Sequence, residues 1–181
     1  MLLRGFFSAL VALAVLVQPT SADETCMSPY MAKIVGQEDY VYIWTLGLEG
    51  VGDGEDKLVT VDVNPDSENY AKVIHSISMG GRHEAHHSGL TDDRRYLWAS
   101  GLDTSKIFIF DVHTDPAAPK LHRTIDDFVE KTGGVVGPHT NYALPGRMLI
   151  TGLSNNRDHG GRTGMAAVSY THLTLPTNGC V

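Results

Sequence analysis

The 181-residue chain is poor in thiols, in basic charge and in long apolar runs. Its two cysteines, Cys26 and Cys180, stand far apart near either end. A secreted domain built on a disulfide framework has more of them. Either one staple joins the ends or Cys26 is a free thiol with a chemical task. Lys and Arg number 14 against 21 Asp and Glu, a formal net charge of −7 with no block of like charges. That balance argues against nucleic acid and anionic membrane surfaces as partners. The longest apolar run, Gly5–Val17, is shorter than the roughly 20 residues a membrane-spanning helix needs. Arg4 precedes it and Gln18-Pro19-Thr20-Ser21-Ala22 follows, with small residues where a signal peptidase reads. Residues 1–22 are therefore predicted to be a secretory signal peptide, leaving a mature chain that starts at Asp23, outside the cytoplasm and free of the membrane. Gly-x-Ser-x-Gly is missing, and Gly160-Gly161-Arg162-Thr163-Gly164 lacks the lysine and the strand–loop–helix setting of a phosphate loop.

What is present is strand-like. Tyr40–Trp44, Lys57–Val63, Arg95–Ala99, Lys106–Val112 and Arg147–Ile150 are short, rich in β-branched and aromatic residues, and bounded by Gly, Asp, Asn or Pro. Only Ile125–Lys131 reads as a helical turn. The pattern predicts an all-β chain.

The strands repeat. Leu58–Pro65 followed by Ala71–Ile77 is echoed by Ile107–Val112 followed by Pro119–Ile125, with Asp62 and Asp111 49 residues apart. A second echo runs from His87-Ser88-Gly89-Leu90 into Leu97–Leu102, and from His139-Thr140-Asn141-Tyr142 into Leu149–Leu153. Here His87 and His139 are 52 residues apart. A period of about 50 residues with several strands per unit is the mark of a β-propeller. The chain has room for about three blades, fewer than the roughly 4–8 that close a ring, so a partial propeller is expected.

In a propeller, equivalent positions of successive blades face one channel. His87 and His139, each placed just before an innermost strand, should therefore converge, with His86 beside them. Nine histidines against two cysteines suit copper or zinc by ligand type, and His86, His87 and His139 are the candidate metal ligands. Adjacent strand residues point to opposite faces, so His86 and His87 are both expected to ligate only if their segment is a loop. His75 and His122 occupy equivalent strand positions and read as blade-surface or inter-blade residues. His113 and His159 sit in polar turns.

Cys26-Met27-Ser28-Pro29, Thr60–Pro65, Lys72-Val73-Ile74-His75, His86-His87-Ser88-Gly89, Ile107–Val112, Ala118–His122 and Pro138-His139-Thr140 together resemble the selenium-binding protein family, in its bacterial methanethiol oxidase branch. The likeness spans Glu24–Gly164. It implies a seven-bladed propeller, of which 23–164 would be about the first three blades, and a periplasmic, copper-dependent oxidase. Its substrates would be a small thiol, methanethiol, with oxygen and water, and its products formaldehyde, hydrogen sulfide and hydrogen peroxide. Copper would be held by His86, His87 and His139, and Cys26 would act catalytically as a further ligand or redox thiol. The selenium-associated cysteine of animal members is replaced here by Thr45. Members of the family are more than twice as long, so the chain reads as a truncated amino-terminal portion, inactive alone for want of ligands from later blades. Residues 165–181 read as a tail foreign to the pattern, with Ser169–Val181 like translated adapter sequence. A non-catalytic metal- or selenium-binding propeller is the alternative. A calcium-holding lactonase fits less well, because histidines rather than carboxylates open the repeats.

Overall fold

The structure is a computed structural model that describes residues 28–155 and 160–170. Residues 1–22, read from sequence as a leader, Cys26 and the segment beyond Tyr170 lie outside the described residues. Among the described residues ten strands follow one another: β1 (Tyr40–Thr45), β2 (Lys57–Asp62), β3 (Val73–Ser78), β4 (Ala85–Leu90), β5 (Tyr96–Gly101), β6 (Lys106–Asp111), β7 (Lys120–Ile125), β8 (Pro138–Leu144), β9 (Arg147–Gly152) and β10 (Gly164–Ser169). A single helical turn, α1 (Phe128–Lys131), lies between β7 and β8. Three antiparallel sheets result, in the orders β1-β2-β3, β4-β5-β6-β7 and β8-β9-β10.

These sheets are blades of one partial β-propeller, and the sequence repeat has a physical basis in them. Asp62 ends β2, and its carboxylate accepts the Asn64 amide at 2.9 Å and the Ser67 hydroxyl at 2.6 Å. Asp111 ends β6 and accepts the His113 and Thr114 amides, both at 2.9 Å, and the Thr114 hydroxyl at 2.7 Å. Each aspartate closes the turn that leads to the outer strand of its blade. The register slips between Thr60 and Val61 in one blade and between Ile109 and Phe110 in the next. Turn and bulge therefore recur together.

Period-2 alternation lets the middle blade serve two cores. Leu97 and Ala99 of β5 with Phe108 and Phe110 of β6 face the first blade, meeting Leu58, Tyr42 and Trp44. Trp98, Ile107 and Ile109 point the other way, toward Met148, Ile150, Ala166 and Val168 of the third blade. A sheet covered on both faces has no polar side, which is why Lys106–Asp111 reads as a nearly continuous apolar run. Full burial of residues such as Trp98 (1% exposed) and Phe110 (0%) stabilises by about 1.5–3 kcal/mol each. Phe128 of α1 (0% exposed) plugs the second core from the rim. The turn ends where Thr132 Oγ1 donates to the Phe128 carbonyl at 2.7 Å and Gly133 adopts a φ of +68°.

Two segments depart from expectation. Ala85–Leu90 and Pro138–Leu144, read as lead-ins to the innermost strands, are themselves those strands, β4 and β8. Ala-His-His-Ser-Gly-Leu has almost no β-branched content, so propensity does not announce it, and pairing with β5 overrides that. Across the boundary drawn at Gly164, β10 pairs residue for residue with β9 from Gly164 opposite Gly152 to Ser169 opposite Arg147. Among the described residues, no helix is long and apolar enough to cross a membrane.

Candidate metal centre

The site begins with a shared irregularity in the two innermost strands. Along β4, Ala85 pairs with Gly101 and Ser88 with Ala99, so His86 and His87 together oppose one residue of β5, Ser100. Along β8, Pro138 pairs with Gly152 and Asn141 with Ile150, so His139 and Thr140 together oppose Thr151 of β9. Each is a β-bulge with one extra residue. Strict alternation fails at a bulge, so neighbouring side chains can be aimed to one side. This resolves the choice between loop and opposite faces: His86 and His87 converge within a strand because the strand is bulged. The register also aligns His86, rather than His87, with His139, and places Thr140 opposite His87 in the repeat.

β4 and β8 approach closely. A Cβ on Gly89 would lie 2.3 Å from the Asn141 carbonyl oxygen, so only glycine allows the backbones to meet there. Asn141, 5% exposed, donates through Nδ2 to Ser100 Oγ at 2.8 Å and to the His87 carbonyl at 3.3 Å, clasping the two blades.

Above that contact the three imidazoles meet. Ring centroids are 4.9 Å apart for His86 and His87, 4.4 Å for His86 and His139, and 4.2 Å for His87 and His139. One ring nitrogen from each lies within 4.8 Å of the others. Nitrogens bound tetrahedrally to one ion at about 2.0–2.1 Å stand about 3.3 Å apart, so side-chain adjustments of an ångström or so close the set. Among the described residues no other group of three or more His, Cys, Asp or Glu gathers this way. The donors are all nitrogen and partly open to solvent, which fits copper or zinc and not calcium or magnesium.

Electrostatics favours the neutral ligands a metal requires. His87 is held below the usual histidine pKa, first by desolvation and then by His86. His139 is lowered by desolvation, then by His87 and His86. His139 Nδ1 and Thr140 Oγ1 share a hydrogen bond of 3.0 Å. With the proton on Nδ1, Nε2 keeps its lone pair for a ligand role. Beside the cluster, the Glu84 pKa is raised by burial and by the nearby Asp103 carboxylate, against Arg82 and His86.

His75, His83 and His122 make contacts within the scaffold. His83 places Nδ1 3.0 Å from Thr104 Oγ1 and Nε2 3.3 Å from the Met79 carbonyl, edge-on to Phe108. His75 Nε2 reaches the Pro119 carbonyl of the next blade at 3.2 Å, an inter-blade contact. His122 packs on the Tyr96 ring at 4.9 Å. Thr45 donates to the Lys57 carbonyl at 3.0 Å. Cys26 and His159 lie outside the described residues. Sequence reasoning passed over Thr140 and Asn141, whose signal was their place in the second echo.

A set of all-β blades whose innermost strands bring imidazoles together at repeat-related positions defines the class: a β-propeller with a candidate transition-metal centre. Within that class the chain belongs to the 56 kDa selenium-binding protein family, whose profile, described as "56kDa selenium binding protein (SBP56)", matches residues 20–173. It is 66% identical over 149 residues to a methanethiol oxidase of Ruegeria pomeroyi, covering 82% of this chain and 34% of that protein. It is 59% identical over 169 residues to a methanethiol oxidase of a Hyphomicrobium species, covering 93% of this chain and 38% of that one. Among solved structures, a hypothetical selenium-binding protein from Sulfolobus tokodaii superimposes with a TM-score of 0.68 at 27% identity, over 78% of this chain and 34% of the other. The chain thus spans about a third of the length of these relatives.

Proposed function

We propose that this chain supplies the metal centre of a copper-dependent methanethiol oxidase that works in the periplasm. The observation that carries the reading is the convergence of His86, His87 and His139 in a chain similar, over these same blades, to proteins named methanethiol oxidase. The reaction converts methanethiol, oxygen and water to formaldehyde, hydrogen sulfide and hydrogen peroxide, one of each. It removes two electrons from the methyl carbon and places them on oxygen. Copper bound at the centre would supply a redox partner with affinity for thiolate sulfur. His87 and His139, whose pKa values are lowered by partial desolvation and by neighbouring imidazoles, would offer their lone pairs more readily than ordinary histidines. Thr140 would hold the His139 ring in one orientation. Cys26 is proposed to stand by as a further ligand or redox thiol. Export through the leader would house this chemistry away from reducing thiols.

The test joins this chain to the remaining two thirds of the Ruegeria protein, loads copper and supplies methanethiol. Formaldehyde, sulfide and peroxide in equal amounts support the oxidase. Relatives named selenium-binding protein, such as one of Arabidopsis thaliana at 36% identity, favour a second reading, a binding protein without turnover. Stoichiometric copper with no oxygen consumption would select that reading, and failure to bind copper would remove the oxidase.

A further inference from the structure

Asp56 lies just before β2 and is 0% exposed, a carboxylate shut away from water. Buried charge is costly unless hydrogen bonds replace its solvation. Here three backbone amides do so. Gly47 N donates to Oδ1 at 2.8 Å, and His83 N and Ala85 N donate to Oδ2 at 3.0 and 2.7 Å. The backbone of the same residue adds two links to that loop, Asp56 N to the Gly81 carbonyl at 2.9 Å and Met79 N to the Asp56 carbonyl at 3.0 Å.

The carboxylate's targets flank a strained residue. Glu84 has a φ of +62°, a left-handed conformation that is unfavourable for a side-chain-bearing residue. Such a conformation persists only where its surroundings over-determine it. Asp56 holds the amides on either side of it, at positions 83 and 85. Ala85 is the last regularly paired residue before the bulge, and His86 is next. The first blade thereby fixes where the histidine-bearing strand of the second blade begins.

We infer that Asp56 is a positioning residue for the three-histidine centre, setting the direction in which His86 and His87 enter the bulge. The inference rests on the metal-binding reading of that centre. An asparagine at 56 keeps one acceptor oxygen but turns an amide N–H toward backbone N–H groups, so at least one of the three hydrogen bonds is lost. Charge-assisted bonds of this kind are the stronger class, and the loop at Glu84 is where their loss relaxes.

The experiment compares Asp56→Asn with Asp62→Asn, which removes a buried carboxylate from the far end of the same strand. Copper affinity of the full chain is measured by competition titration, and ring-to-ring nuclear Overhauser contacts between His87 and His139 are measured without metal. The expected result is copper affinity lower by about 10-fold or more and weakened ring contacts in Asp56→Asn alone, because Asp56 holds the backbone that aims His86 and His87. Folded Asp56→Asn with wild-type affinity and contacts would overturn the inference. So would equal losses in both variants, which would mark a general loss of stability. If Asp56→Asn does not fold, Asp56→Glu keeps the buried charge, displaces the carboxylate by one methylene and is read by the same criteria. Should the wild-type chain show the ring contacts but bind no copper, loss of those contacts in Asp56→Asn would sustain the positioning role while the metal reading fell.

Discussion

His86 and His139 occupy the same position of the same bulge in neighbouring blades, and their ring centroids lie 4.4 Å apart. Strict alternation would let only one of the adjacent His86 and His87 face that side. The repeat thus makes a two-blade centre from one local device used twice, and His87 joins because the bulge frees it from the opposite face.

Replacing any one of the three by alanine should lower copper affinity by more than about 100-fold, beyond the range seen for outer-shell partners. His86 and His87 are exposed, so their removal should shift folding stability by no more than about 0.5 kcal/mol. Competition titration beside chemical denaturation separates the two effects. Retained copper affinity in His139→Ala would exclude the centre as drawn.

The pH response follows from the lowered pKa values of His87 and His139, whose ordinary value is 6.5. Between the lowered values and 6.5, the unfolded chain binds more protons than the folded one, so stability rises with pH through that window. The metal-free protein should therefore lose stability as pH falls below the ordinary histidine value, down through the lowered ones. The loss should shrink in the His87→Ala, His139→Ala double variant. Thermal melts at a series of pH values measure this, and an unchanged pH slope in the double variant would contradict it.

Gly89→Ala should destabilise by about 1–3 kcal/mol, the usual cost of overpacking, since the added carbon meets the Asn141 carbonyl at 2.3 Å. The blades must part to admit it, so copper affinity should fall as well. Urea denaturation and metal titration of the same variant provide the check.

Cys26→Ala should reduce either copper content or turnover of the chimera with the Ruegeria protein. Metal analysis together with peroxide release distinguishes a ligand from a redox thiol. A variant unchanged in both measurements would remove Cys26 from the reaction.

The all-β character was legible in the sequence because strands such as Lys57–Asp62 alternate or run apolar between turn residues. The repeat was legible because Asp62 and Asp111 close the same turn. That His86, His87 and His139 come together was legible from the repeat, although the echo matched His87 with His139 where the register matches His86. The order of β4 and β8 within their blades was not, because Ala-His-His-Ser-Gly-Leu owes its strand form to pairing with β5 rather than to its own propensity. Nor was the bulge, which exists only as a mismatch of count between two strands. Asp56 left no trace at all, because three amides from distant loops give a carboxylate its meaning only once the chain has brought them together. Local chemistry therefore chose the strands and the histidines, while pairing register and buried hydrogen bonds decided that three imidazoles meet.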